Sequence, residues 1–121
     1  MAHEDTELPR EDWNEYFNSF SRGLGAVEAT VEVDGEDLGA QIVADRLVLT
    51  GISYDYKDHI LVIGLVAPER EPGEDIEHIV DAPRRIVLDT TAIVPDTIDV
   101  EDAEGHRTLI ELSAAPELAA E

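Results

Sequence analysis

Glu77-His78-x-x-Asp81 is the tightest group of possible metal ligands in the chain, and Asp55, Asp58 and His59 set a second group of carboxylates beside an imidazole. A metal centre or an acid–base pair needs two or three such groups converging around an open position. Spacing works against the first group. On a strand residues 77 and 78 point to opposite faces, and on a helix 77 and 81 align while 78 only partly joins them. In a chain with 29 acids an acid beside a histidine arises by chance, so ordinary hydrogen bonding is the plain reading of Glu77, His78 and Asp81, and a cation site the sharper one. Tyr54, Asp55, Lys57 and Asp58, with His78 and Arg84, are the residues that could receive a small ligand. Asp99-x-Glu101 before Asp102 and Gly105 lacks the glycine and terminal glutamate spacing of a calcium loop and reads as a hairpin turn. Ser19, Ser21, Ser53 and Ser113 have no nucleophile-elbow context, and Gly23-x-Gly25 has neither the third glycine nor the lysine of a phosphate cradle. There is no cysteine, so thiolate chemistry and disulfides are excluded. Nothing here supports an enzyme or calls for a cofactor.

Charge says more than any motif. The chain has 29 Asp plus Glu against 8 Lys plus Arg, a net charge of -21 over 121 residues, and Lys57 is its only lysine. At moderate salt such a load opposes compaction, whereas at about 1 M salt the Debye length falls to roughly 3 Å and the carboxylates instead hold monovalent cations and water at the surface. Lysine stems add exposed apolar surface that concentrated salt drives together, so their scarcity fits the same setting. The expectation is a cytosolic protein of a halophile. An acidic surface repels phosphate and anionic lipid, making nucleic acid and membranes poor partners unless Arg84, Arg85 and Arg107 gather into one patch. No apolar run approaches the ~20 residues of a membrane span, and the acidic N-terminus is unlike a signal peptide.

These side chains need a frame, and the chain length suits one domain with a modest core. Residues 1–8 are polar and expected to be disordered, residues 9–113 form the domain, and 114–121 a flexible tail. Pro9 fits a first helical turn with Glu11 and Asp12 at its positive end. Trp13, Tyr16, Phe17, Phe20 and Leu24 then recur at helical spacing and draw the aromatic mass onto one stripe, which Gly23 and Gly25 terminate. Core packing is the first reading of that stripe. An interface with a second copy, made by Trp13, Tyr16, Phe17 and Phe20, is the other.

The rest alternates with period two. Val27, Ala29, Val31 and Val33 mark a half-buried strand, and residues 38 to 54 hold one long bent strand or two short ones, broken near Asp45 and Arg46. Asp55 to Asp58 make a turn in which the Lys57 ammonium could offset the two aspartates. Ile60 to Val66 is a continuous apolar run expected to be a central strand covered on both faces. Residues 67–75 form a charged loop with two prolines, followed by a short segment at 76–82 and strands near 85–89, 97–101 and 106–113, five or six short antiparallel strands in all. The fold expected is mainly β with one N-terminal α-helix: a small antiparallel barrel or strongly curved sheet of Sm-like or SH3-like kind. A two-layer α+β arrangement, the helix on an antiparallel sheet, is the alternative.

Four stretches taken together resemble a domain-of-unknown-function family of small prokaryotic proteins. They are Trp13, Phe17, Phe20 and Ser21; Leu49, Gly51, Ile52, Tyr54, Asp55, Lys57 and Asp58; His78, Ile79 or Val80, Pro83, Arg84 and Ile86; and Asp102, Ala103, Glu104, Gly105 and Arg107. Glu77 stands where the family pattern has aspartate, and the insertion before it and the excess acids fit a halophilic member. The resemblance implies no activity, because the family has none assigned. The expected role is a non-catalytic binding or assembly module, a homo-oligomer. The alternative is a small-ligand or cation-binding protein using the 54–59 turn with Glu77 to Asp81.

Overall fold

The computed structural model describes residues 4–35, 39–67, 75–90 and 95–114. Their elements are β1 (Glu4–Glu7), a single 3₁₀ turn (Arg10–Asp12), α1 (Trp13–Arg22), β2 (Val27–Asp34), β3 (Gln41–Asp55), β4 (Ile60–Val66), β5 (Asp75–Asp81), β6 (Pro83–Thr90), β7 (Pro95–Asp102) and β8 (Arg107–Ala114). All eight strands lie in one sheet, in the order β1-β6-β7-β8-β2-β3-β4-β5, with every pair antiparallel. Two sequential meanders therefore make the sheet, β2 to β5 and β6 to β8, joined edge to edge where β8 pairs with β2.

One residue shows why the sheet must curl. Ala82 alone separates β5, the last strand at one end, from β6, the second strand at the other. The two ends can be that close only if the sheet rolls towards itself, and it stops short of closure with β1 and β5 as its end strands. Ala82 takes φ of 53° to make the corner, a left-handed conformation that costs a residue with a Cβ. Its N–H donates to the His59 carbonyl and its own carbonyl accepts from Ala103 N–H, each at 2.9 Å, so both hairpins that end nearby hold the corner in place.

The long strand β3 belongs to both parts of the curl. Its first half pairs with β2 as far as Glu28↔Val48, and its second half pairs with β4 from Val48↔Val66 onward. Arg46, at φ 57°, sits at the bend, where its N–H donates to Thr30 Oγ1. Beyond the bend β3 has left β2, and one of its edges needs hydrogen-bond partners.

Helix α1 supplies them. Ser21 Oγ donates to the Ile52 carbonyl at 2.8 Å and accepts from Ile52 N–H at 2.9 Å, while Asn14 Nδ2 donates to the Tyr54 carbonyl at 3.1 Å. The helix thus stands in for the strand that β3 lost. Its apolar stripe goes inward: Trp13 and Phe17 are 1% and 0% exposed and join Ile52, Leu61, Ile63, Ile86, Ile98 and Ile110 in the core. Trp13 Nε1 also donates to the Leu8 carbonyl, tying the chain entering the helix to the same core.

The fold is mainly β with one helix on a curled antiparallel sheet, as the alternation implied. Several details differ. Residues 4–7, expected to be disordered, form β1 against Glu7↔Val87 to Glu4↔Thr90, because the outer edge of β6 offers a ladder that polar side chains can join while still facing water. With β1, and with the segment at 76–82 formed as a full strand, the sheet has eight strands rather than five or six. β4 is not covered on both faces: Leu61, Ile63 and Leu65 are buried but Ile60, Val62 and Gly64 are only half-buried. Trp13 and Phe17 are enclosed within the single chain and have no surface to offer a second copy, which leaves Tyr16 and Phe20, half-buried and stacked at 6.3 Å, as the accessible part of the stripe. The strand expected to end at Ser113 runs to Ala114; Leu38, most of the 67–75 loop and residues 115–121 of the tail lie outside the described residues.

Candidate functional site

The residues with the most polar chemistry collect where the curl nearly closes. There the β3–β4 hairpin, the Ala82 corner, the β7–β8 hairpin and the start of the helical segment come together. Tyr54 Oη lies 2.8 Å from His59 Nδ1, and Arg10 Nη2 lies 2.9 Å from His59 Nε2. Arg10 Nη2 also lies 3.2 Å from His59 Nδ1; a guanidinium can only donate, so the ring nitrogen that bonds it accepts, and the tyrosine hydroxyl donates to or accepts from Nδ1 according to the tautomer. Trp13 meets Tyr54 edge to face at 5.1 Å, and the Arg10 guanidinium lies 5.5 Å from the Trp13 ring centroid. His59 holds φ of 57°, which the Asp55 turn imposes: Asp55 Oδ1 accepts from the N–H groups of Lys57 and Asp58 at 3.0 and 3.2 Å. That carboxylate, rather than the Lys57 ammonium, organises the turn.

Of the expected ligand-binding residues, Tyr54, Asp55, Lys57 and Asp58 therefore share one hairpin with His59, and Arg10, which the sequence did not single out, joins them. His78 and Arg84 stand apart from it. Arg84 Nη2 is paired with Glu101 Oε2 at 2.9 Å. His78 lies opposite Ile63 on the inner face of β5, and its desolvation there lowers the imidazole pKa. Glu77 and Asp81 face the other way, so the expected metal trio does not converge, and among the described residues no three His or carboxylate side chains group closely enough to hold an ion. Arg85 and Arg107 are likewise engaged, on Glu7 at 3.1 Å and on Asp99, and the Asp99 pairing raises the Arg107 pKa further.

A distinct concavity lies elsewhere, beyond the C-terminal end of α1. It is a groove of about 520 Å³ between that end and the strands β2, β7 and β8, walled by Phe20, Leu24, Val27, Pro95 and Leu112. Asp96 is its only charged lining residue among those described. Gly23 and Gly25 leave it open: a Cβ added at Gly25 would meet nothing within 4 Å. In the sequence those glycines read only as helix terminators. The signal available was that two missing side chains follow directly on Phe20 and Leu24, an apolar surface with nothing of its own to lie against.

Residues 4–120 match DUF5335, a family of unknown function. The chain belongs to that family. An uncharacterised protein of Aquifex aeolicus (strain VF5) is 32% identical over 108 residues, covering 89% of this chain and 91% of the relative. No solved structure matches the chain.

In this family member, the residues that carried the resemblance serve the architecture. Ser21 and Ile52 are the helix-to-edge bond, and Gly51 lets it form, since a Cβ there would lie 3.3 Å from Ser21 Oγ. Asp55 shapes the β3–β4 turn, and Asp102 shapes the other hairpin by accepting from the N–H groups of Glu104 and His106. Gly105 supplies the φ of 89° that the second turn needs. Pro83 is buried at the corner.

Proposed function

We propose that the chain is a non-catalytic assembly module of a salt-rich cytosol, which associates with a second copy of itself along the free edge of β5. The observation that supports this reading is the contrast between the two end strands. β1 has four residues, three of them acidic, and short charged edges resist pairing with other chains. β5 has seven residues, pairs among the described residues with β4 alone, and exposes Ile76 and Ile79 at 45% and 50%. Two β5 strands paired antiparallel about His78 would set Ile76 against Val80 and Glu77 against Ile79, with Asp75 facing Asp81 at each end. Backbone bonds would supply affinity and the two Ile76–Val80 pairs the apolar contact. The acids would weaken pairing in dilute salt and permit it in molar salt.

A cation held jointly by the 54–59 turn and Glu77 to Asp81 is the weaker reading, because Asp55 is engaged with its own turn and His78 faces away from Glu77 and Asp81. Sedimentation equilibrium in about 2 M potassium chloride, where screening is nearly complete, tests the assembly. The wild-type chain should have twice the monomer mass, and Ile76→Lys, which at an exposed position sets a charge against Val80 of the second copy, should return the mass to that of one chain. A monomeric wild type defeats the reading, and so does an Ile76→Lys dimer.

A further inference from the structure

The groove at the C-terminal end of α1 takes no part in that assembly edge, and its chemistry is distinct from that of the hairpin cluster. Its volume of about 520 Å³ lies within the range of small-molecule sites, which are apolar with a few placed polar groups. Phe20, Leu24, Val27, Pro95 and Leu112 provide the apolar walls and Phe20 an aromatic face, with Tyr16 stacked behind it. Among the described residues no lysine or arginine lines the groove, and Asp96 is its one charged lining residue. A fatty acid or other anionic amphiphile would set its charge against Asp96 and against a chain of net charge -21.

We propose that this groove binds a small organic cation: an ammonium group carried on an apolar or aromatic body. The apolar body would lie along Leu24, Val27 and Leu112. The ammonium would lie between the Asp96 carboxylate and the Phe20 ring, where ion pairing and the ring quadrupole attract the same charge. Low-dielectric walls strengthen that attraction relative to the many carboxylates in open water. This separates a built site from the diffuse cation atmosphere that any acidic protein collects.

Titration of the isotopically labelled full chain, followed by amide chemical shifts, would use three probes of one shape: 3-phenylpropylammonium, 3-phenylpropan-1-ol and 3-phenylpropionate. The ammonium should give saturable shifts confined to residues 19–27, 95–96 and 112–113, with an affinity about tenfold above that of the alcohol, and the propionate should not saturate. Asp96→Asn should reduce the ammonium to the level of the alcohol. Gly25→Phe, which places a ring in the open space beside that glycine, should abolish binding of both, with Gly25→Leu as the smaller blocking variant if the first disturbs the spectrum. The proposal is overturned if no probe saturates or if the alcohol matches the ammonium. It also fails if the ammonium shifts spread over the acidic surface and persist in the blocked variants, since the cation is then a counter-ion only.

Discussion

Ser21 is a single hydroxyl that does the work of a neighbouring strand. It donates a hydrogen bond to the Ile52 carbonyl and accepts one from the Ile52 N–H, so its removal strips partners from two backbone groups at once. Each buried group left unsatisfied costs about 1–3 kcal/mol, and the part-buried setting here places the total for Ser21→Ala at about 2 kcal/mol. Urea unfolding should show that loss as a lower midpoint with an unchanged slope. A substitution within ~0.5 kcal/mol of wild type, the range of an ordinary surface change, would mean that water replaces the hydroxyl and the edge needs no helix. Ser21 could be noticed in the sequence as part of a recurring pattern, but its task could not, because nothing local to residues 20–22 says that β3 will part from β2 beyond residue 48.

Among the elements, β5 combines an exposed edge with a half-buried histidine. Burial lowers the His78 pKa, so between that lowered value and the ordinary value of about 6.5 the unfolded chain binds more protons than the folded one. His78 therefore contributes a loss of stability as the pH falls through that window, and none above it. The chevron or urea midpoint of wild type, compared with His78→Gln from neutral pH downward, should show a steeper fall for wild type. Parallel curves would place the imidazole in water. Alternation made the strands from Val27 onward legible, including the break in β3, because a sheet wet on one face writes its period into the side chains. It failed for β1, whose four residues are held by backbone bonds with no apolar contribution, and it overstated β4, where an unbroken apolar run lies on a face only half covered. The Ala82 corner was hidden for another reason: left-handed φ is expected of glycine, and here a bonded alanine adopts it. The groove was invisible because it is made of absences on one element and walls on three others.

For the whole molecule, charge dominates the response to solvent. With a net charge of -21, repulsion is stronger across the compact surface than along the expanded chain, and screening relieves the folded state more. The melting temperature should climb from about 0.1 to 2 M potassium chloride, measured at low protein concentration so that assembly does not contribute. A flat curve would show that the acids are not an adaptation to salt. An ion pair exposed on both sides, such as Arg85–Glu7, is worth little, so it should not reverse the trend.

The seam between the two meanders has a consequence for biosynthesis. Strands β2 to β5 can pair with one another, and α1 can cover β3, as soon as residue 81 has emerged, since each strand's partner is its neighbour in sequence. The other edge of β2 is different: its partner is β8, and Val27 pairs with Ala114. At roughly 5–20 residues per second of translation, an early-formed meander would wait some seconds for the last strand, with β2 open to the wrong neighbour. β1 waits likewise for β6, to which it pairs across most of the chain. The nascent chain is most vulnerable along a border that the finished protein hides, and a transcript stalled before Arg107 would release that border unprotected.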